Sequence, residues 1–193
     1  GTTRGFMNGA NMNVTEPYAP QVYSYDYDAP LDEAGNPTPK FYKFREVISK
    51  YLPPNQTLPA VPESKKTISI PQIVLKESAG IFEQLPKPVI STAPRTFEDL
   101  DQAYGFVLYR SNIAKGGLLR VKELRDYATV YLNGKQVGVL DRRIKKDSLL
   151  LINVPSNARL DILVENNGRI NYGPYLTDNR HGISNKHRST TGQ

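Results

Sequence analysis

In the second half of the chain, apolar and polar residues alternate with the two-residue period of β-strands. The alternation predicts strands at Tyr104–Arg110, Leu118–Val121, Leu149–Val154 and Leu160–Glu165. Within Tyr127–Leu140, Asn133-Gly134 is the preferred turn of a tight hairpin. Two shorter candidate strands come earlier, at Thr67–Ile70 and Ile73–Glu77. Many short strands with regular turns predict a mostly β fold, an antiparallel sandwich of about 120 residues.

The first half contains one clear helix signal. Thr38 is a suitable N-cap and Pro39 occupies the first helical position. The apolar residues that follow are spaced by three and four, at Phe41, Phe44, Ile48 and Tyr51. Pro53-Pro54 then ends the predicted helix.

Composition shifts divide the chain into four parts. Residues 53–66 read PPNQTLPAVPESKK, with four prolines, which predicts a stiff linker. We therefore expect one unit at residues 1–52, a sandwich at residues 67–184 and a disordered tail at residues 185–193.

The amino-acid composition excludes several kinds of functional site. The 193 residues include no cysteine, which excludes disulfides, thiolate metal sites and cysteine nucleophiles. No apolar run approaches the ~20 residues of a membrane span. The net charge is +6, and the densest basic cluster lies between Asp141 and Asp147, namely Arg142, Arg143, Lys145 and Lys146. Without stacking aromatics or a groove-reading helix, this cluster is typical of a solvated loop, so neither nucleic acid nor a membrane is expected as a partner.

The segment Ser24–Gly35, SYDYDAPLDEAG, carries the clearest candidate chemistry. In an extended segment Tyr25 and Tyr27 share one face, while Asp26 and Asp28 share the other. Two neighbouring phenols offer an apolar body with polar tips, which suits the CH face and hydroxyls of a sugar ring. Little sequence precedes this segment to complete a pocket, so we expect the chain to be a portion of a larger enzyme.

Four motifs, in this order, resemble the second half of family 35 glycoside hydrolases, the retaining exo-β-galactosidases: Gly5–Asn11, Ser24–Phe41, Tyr104–Arg110 and Leu163–Tyr175. The resemblance runs from residue 1 to about Ile183. It implies a jelly-roll-like (galactose-binding-like) antiparallel β-sandwich, preceded by the last βα remnant of a (β/α)8 TIM barrel. The implied activity is hydrolysis of terminal non-reducing β-D-galactosyl residues.

The resemblance also implies roles for individual residues. Tyr25 and Tyr27 match the paired tyrosines that line the galactose pocket, and Tyr27 resembles the one that hydrogen-bonds the sugar. Asn8, Gly9 and Asn11 fall in the loop after the last barrel strand, at the barrel face that carries catalytic loops.

The nucleophile and acid/base of the family are glutamates on earlier barrel strands, upstream of Gly1. The resemblance therefore implies that the isolated chain is inactive, with a β-galactoside substrate and the N-terminal barrel portion as its partners. It implies no cofactor and no metal. The parent is expected to be exported (periplasmic, extracellular or lysosomal), with its signal outside this sequence.

Other carboxylates invite a catalytic interpretation. Asp26 and Asp28, two residues apart on a strand, would have Cα atoms about 6.5–7 Å apart. Hydrogen bonds to loop backbone around Ala29-Pro30 are the commoner role for such aspartates. Glu165 and Asn166 are better explained as anchors of a sandwich loop, with Arg169 as a charged partner.

The remaining tyrosines and the two histidines are not expected to take part in catalysis. Six tyrosines are expected in core and rim packing, with a second carbohydrate site as the alternative: Tyr104, Tyr109, Tyr127, Tyr131, Tyr172 and Tyr175. His181 and His187 lie near the predicted disordered tail and are not expected to bind metal or catalyse. Two functions other than hydrolysis stay open. Residues 66–184 could form a free-standing carbohydrate-binding module, or the sandwich could be structural and brace the barrel.

Overall fold

A computed structural model of the chain describes residues 8–11, 18–22 and 27–184. The described residues fall into two compact units. Residues 27–88 belong to one unit, and residues 8–11, 18–22 and 89–184 belong to the other.

Eleven strands are found among the described residues, all of them in the second unit: β1 (Asn8–Asn11), β2 (Ala19–Val22), β3 (Gly105–Ile113), β4 (Gly117–Arg120), β5 (Leu124–Arg125), β6 (Tyr127–Leu132), β7 (Lys135–Asp141), β8 (Ser148–Leu151), β9 (Ala158–Asn166), β10 (Arg169–Tyr172) and β11 (Gly182–Ile183). The largest sheet is antiparallel, in the order β3-β9-β6-β7. Two antiparallel pairs, β4-β8 and β5-β11, accompany it. The sequence-based prediction of a mostly β, antiparallel fold is confirmed.

The alternation of the sequence explains how the four-stranded sheet forms its core. Val107 lies opposite Val164, which lies opposite Ala128, which in turn lies opposite Leu140. All four are buried, so one face of this row carries only apolar side chains. The β6-β7 connection turns at Asn133 (φ 50°) and Gly134 (φ 83°), as a two-residue hairpin requires.

The other sheets cover this face. One buried cluster joins the four-stranded sheet to Leu124 of β5, Leu151 of β8 and Phe97, and Ile183 of β11 packs against its edge. Phe97 precedes a short 3-10 helix (Glu98–Leu100) and has no exposed surface. The result is a layered β domain with one main apolar core, beside a smaller cluster of Tyr18 and Ile170.

β1 lies in the centre of a further three-stranded sheet. It pairs antiparallel with β2 and parallel with β10, with Gly9 opposite Arg169. The barrel remnant implied by the resemblance is therefore not visible as a βα unit among the described residues. A barrel strand needs a parallel neighbour on each side, and here β1 has one parallel and one antiparallel partner.

The unit of residues 27–88 contains α1 (Pro39–Ser49), as predicted. Thr38 is the N-cap residue, but its hydroxyl does not cap the helix and instead donates to the carbonyls of Ala29 and Pro30, at 3.1 and 3.0 Å. None of the helical residues is buried, and Phe44 and Ile48 are each 51% exposed. No helix in the described ranges is long and apolar enough to cross a membrane.

The predicted strands Thr67–Ile70 and Ile73–Glu77 are wrong. Both segments lack regular secondary structure, and Ile68 and Leu75 are 85% and 88% exposed. A strand needs a partner for its backbone groups, and Pro71 between the two segments has no N–H to offer one. The predicted tail, residues 185–193, lies outside the described residues.

Candidate functional site

Tyr27 lies at a turn on the surface of its unit, with a φ of 23° and 90% of its surface exposed. Its partner in the predicted sugar contact, Tyr25, lies outside the described residues, as does Asp26. Tyr27 is therefore a largely exposed side chain at a turn and not in the extended segment that the sequence predicts.

The loop after Tyr27 is shaped by Asp32. Its carboxylate accepts a hydrogen bond from the Asn36 N–H at 2.7 Å, and its carbonyl accepts from the Gly35 N–H at 2.9 Å. Gly35 has a φ of +83°, a conformation that favours glycine. These local bonds turn the chain towards α1, and the Asn36 side chain also ties the loop to Lys65, whose backbone N–H donates to Asn36 Oδ1 at 2.6 Å.

Asp28 is not in a catalytic environment. Its side chain is 86% exposed and forms an ion pair with Lys40, whose ammonium also donates to the Asp28 carbonyl at 2.6 Å. A glycosidase acid lies in an apolar pocket or beside a second carboxylate, whereas Asp28 is paired with a lysine at the surface.

The predicted pocket residues Asn8, Gly9 and Asn11 all lie in β1. Their backbone is held from both sides. Gly9 is opposite Gln21 of β2 and opposite Arg169 of β10. The structure therefore attaches this candidate pocket segment to the all-β unit.

A buried ionic cluster, which the sequence did not predict, lies beside that segment. It is centred on Asp126, which has no exposed surface. Asp126 Oδ1 accepts from Arg142 Nη1 at 2.7 Å. Asp126 Oδ2 accepts from the Asn167 N–H at 3.0 Å and from the Tyr18 hydroxyl at 3.1 Å. The Arg142 guanidinium also lies 4.2 Å from the centroid of the Tyr18 ring, within cation–π range.

The cluster extends to His181, whose side chain is 1% exposed. The Nε2 atom of His181 lies 3.2 Å from the Gly168 carbonyl and 3.6 Å from Asp126 Oδ2. Its backbone N–H donates to Glu98 Oε2 at 3.0 Å. His181 lies near the predicted tail in the sequence, and its burial was not predicted; His187 lies outside the described residues.

Arg169 closes the cluster. Its Nη1 atom donates to Glu98 Oε1 at 2.8 Å and its Nη2 atom to the Ala103 carbonyl at 3.0 Å. The charged partner of Arg169 is therefore Glu98 and not Glu165.

These contacts fix the ionisation of Glu98 and Tyr18. Burial acts to raise the pKa of Glu98, but hydrogen bonds from the His181 N–H and from Arg169 outweigh it and hold this pKa at about 2. Burial, reinforced by the neighbouring Asp126 carboxylate, raises the pKa of the Tyr18 hydroxyl, which stays a hydrogen-bond donor. Glu98 is thus a charged acceptor and Tyr18 a neutral donor within the cluster.

The lowered pKa of Glu98 should be visible in the pH dependence of the unfolding free energy. Because its folded pKa of about 2 lies below the ordinary 4.5, Glu98 stabilises the fold above pH 4.5, and this contribution is lost as the pH falls towards 2. We expect Glu98→Gln to reduce the slope of the unfolding free energy against pH in this window. The reduction should be equivalent to the uptake of up to about one proton on unfolding. Urea unfolding at several pH values measures the slope. An unchanged acid slope in the variant would contradict the assignment.

Asp161 is a second carboxylate with no exposed surface. Its Oδ1 accepts from Arg110 Nε at 2.6 Å, and its Oδ2 accepts from Arg159 Nε at 3.0 Å. Arg110 and Asp161 are directly opposite on β3 and β9. This cross-strand ion pair ties two neighbouring strands together.

Asn166 anchors a loop. Its Oδ1 accepts from the Gly168 N–H at 2.9 Å, and its Nδ2 donates to the Ala103 carbonyl at 3.3 Å. Among the tyrosines, Tyr109 donates to the Arg95 carbonyl at 2.6 Å and accepts from the Ile183 N–H at 3.1 Å. Burial raises the pKa of Tyr109 to about 12. In the ranges that the structure covers, no three His, Asp or Glu side chains are grouped as metal ligands.

Two family models match the chain. Residues 94–190 match the first all-β domain of β-galactosidase, and residues 1–51 match glycosyl hydrolases family 35. The first match contains strands β3 to β11, the body of the all-β unit.

Curated relatives agree with the family models. A β-galactosidase of Xanthomonas manihotis is 44% identical over 188 residues, which are 95% of this chain and 31% of the relative. β-galactosidase 1 of Dictyostelium discoideum is 37% identical, with 93% of this chain and 31% of the relative covered. The human β-galactosidase is 35% identical, with 96% and 28% covered. The chain thus spans about 30% of the length of these relatives, and it belongs to the β-galactosidases of glycosyl hydrolase family 35, whose first all-β domain it carries.

Proposed function

We propose that the chain works as part of a retaining exo-β-galactosidase that removes terminal non-reducing β-D-galactosyl residues. The observation that carries the proposal is the likeness to curated β-galactosidases over 93–96% of the chain. Within that enzyme Tyr25 and Tyr27 contact the galactosyl group, and Asn8, Gly9 and Asn11 belong to the surrounding loop. The 90% exposure of Tyr27 supports this role.

We infer that the chain supplies binding and support while the two catalytic glutamates belong to the barrel portion upstream of Gly1. Retention requires two carboxyl groups about 5–5.5 Å apart across the scissile bond. Asp126 and Asp161 are each buried and engaged by arginine, and Asp28 is exposed and paired with Lys40. In each case the carboxylate oxygens are already engaged by a cation, which leaves no described pair of these aspartates arranged across a scissile bond.

For the all-β domain itself we propose structural support rather than sugar binding. Several of its tyrosines are used internally. Tyr18 bonds within the ionic cluster, Tyr109 ties Arg95 to Ile183, and Tyr127 lies under the Arg143 guanidinium at 5.9 Å. A sugar platform would need their faces or hydroxyls free.

The pure 193-residue chain is expected to show no turnover of an aryl β-galactoside above background. A chimera in which this chain replaces the matching stretch of the Xanthomonas manihotis enzyme is expected to be active. In that chimera Tyr27→Phe should lower kcat/KM about tenfold, the effect of one lost hydrogen bond to the sugar.

Tyr51→Phe is the matched control, because Tyr51 is another tyrosine of the same unit and is 83% exposed. Two results would refute the proposal. One is turnover by the pure chain that Asp26→Asn abolishes. The other is a folded chimera without activity.

A further inference from the structure

We propose that Asp126 and Arg142 are positioning residues for the candidate pocket segment of β1, Asn8–Asn11, and act through Tyr18. The proposal rests on the function proposed above. It gives the all-β domain an indirect part in substrate binding, since neither residue belongs to the predicted pocket.

The first step is the attachment of β1 and β2. These strands form an antiparallel hairpin, and β1 continues the sheet through parallel pairing with β10. The hairpin contains Asn8, Gly9 and Asn11, the predicted pocket residues. Any displacement of this hairpin relative to β10 therefore displaces that segment of the pocket.

The second step is the side-chain lock on the hairpin. Tyr18 immediately precedes β2 and is 3% exposed. Its ring packs with Ile170 of β10 and with Tyr175. Its hydroxyl points at two acceptors, Asp126 Oδ2 at 3.1 Å and the Gly168 carbonyl. The only hydroxyl proton of Tyr18 thus links the start of β2 to two different loops of the all-β domain.

The third step is the rigidity of the acceptor. Asp126 is held by Arg142 Nη1 at 2.7 Å and by the Asn167 N–H at 3.0 Å. Its own backbone N–H donates to the Glu165 carbonyl at 3.1 Å, and its carbonyl accepts from the Arg142 N–H at 3.0 Å. Since every one of these groups is fixed to the sheet or to its adjoining loops, Asp126 is a fixed point for Tyr18.

Loss of this lock would free β2, and β1 that pairs with it, to move relative to β10. Substrate binding would then have to order the pocket segment of β1 again, which costs free energy.

The test uses the chimera with the Xanthomonas manihotis enzyme. Tyr18→Phe keeps the ring and its contact with Arg142 but removes the hydroxyl, and Asp126→Asn keeps the shape but removes the charge. We expect each to raise KM for an aryl β-galactoside about tenfold while kcat changes less than about threefold, because binding must now order the hairpin.

Asp161→Asn is the matched control. Asp161 is as buried as Asp126 and pairs with two arginines, but its partners lie on β3 and β9, away from the hairpin. Its KM should stay within about twofold of the unsubstituted chimera. Hydrogen exchange on the 193-residue chain gives a readout independent of activity: amides of β1 and β2 should exchange faster in Tyr18→Phe, and those of β6 and β9 should not.

The outcomes separate the two proposals. An active chimera whose KM is unmoved by Tyr18→Phe and Asp126→Asn overturns the positioning role and leaves the proposed function intact. An equal rise of KM in Asp161→Asn overturns it as well, since general loosening would then explain the effect. A folded but inactive unsubstituted chimera overturns the proposed function and the positioning role with it.

Discussion

Replacement of Asp126 by alanine is expected to lower the free energy of unfolding of the chain by about 3–5 kcal/mol. The substitution takes the carboxylate away from Arg142, whose side chain is 13% exposed. It also leaves the Asn167 N–H and the Tyr18 hydroxyl with one acceptor fewer in a buried site. Water reaches such a site poorly, so the lost bonds are not replaced. Urea unfolding followed by circular dichroism measures the change.

Alanine substitutions of two other aspartates provide a comparison for this loss of stability. Asp161→Ala should cost less than Asp126→Ala, because the Arg110 and Arg159 side chains are 40% and 41% exposed and regain water. Asp28→Ala should change the unfolding free energy by no more than about 1 kcal/mol, since its ion pair with Lys40 lies at the surface. If Asp126→Ala cost no more than Asp28→Ala, the cluster would contribute nothing to stability.

The sequence predicts those parts of the fold that depend only on residues close together in the chain. In Tyr127–Leu140, alternation assigns Ala128 and Val130 to one face, and Asn133-Gly134 specifies the turn that the structure contains. The helix after Thr38 follows from Pro39 and the apolar spacing. Neither inference needs knowledge of a distant residue, and both are confirmed.

Pairing is different, because a strand depends on a partner that the local sequence does not name. Ile68 and Ile70 alternate with polar residues as strand residues do, yet both are exposed and unassigned to any sheet in the structure. β1 pairs with β10 across some 160 residues, and no local pattern encodes that choice.

The buried ionic cluster was missed for the same reason. Its members come from six separate places in the chain: Tyr18, Glu98, Asp126, Arg142, Arg169 and His181. The assignment of Arg142 to a solvated loop is wrong, because its guanidinium is bound to the buried Asp126 carboxylate. One local signal existed. Arg125 and Asp126 lie between Leu124 and the alternating strand that begins at Tyr127, so apolar residues flank both charges. Charges in such a position need partners, which predicts a buried network but not its composition.

The predicted sugar-contact residues depend on the resemblance and not on pattern. Alternation alone places Tyr25 and Tyr27 on one face of a strand, whereas Tyr27 lies in a turn. The exposure of Tyr27 suits contact with a ligand. Tyr27 lies in a turn before the loop that Asp32 stabilises, and not in a sheet.

Phe97→Ala should be as damaging as the loss of Asp126, for an apolar reason. Phe97 has no exposed surface and is the largest fully buried side chain among the described residues. Its ring meets the His181 ring edge to face, with centroids 6.5 Å apart. Truncation leaves a cavity between the core and the cluster, which should lower the unfolding free energy by about 3–5 kcal/mol. Denaturant unfolding of the 193-residue chain measures it.

The matched control for this variant is Phe106→Ala, since Phe106 lies on β3 and is 51% exposed. It loses the same atoms but opens no cavity, so its cost should be well under half that of Phe97→Ala. The backbone bond from the Phe97 N–H to the His181 carbonyl, at 3.0 Å, survives in the variant. A large loss would therefore report packing of the ring and not the hydrogen bond. Equal costs at the two positions would mean that the core refills the space, and that Phe97 does not link the apolar core to His181 and its cluster.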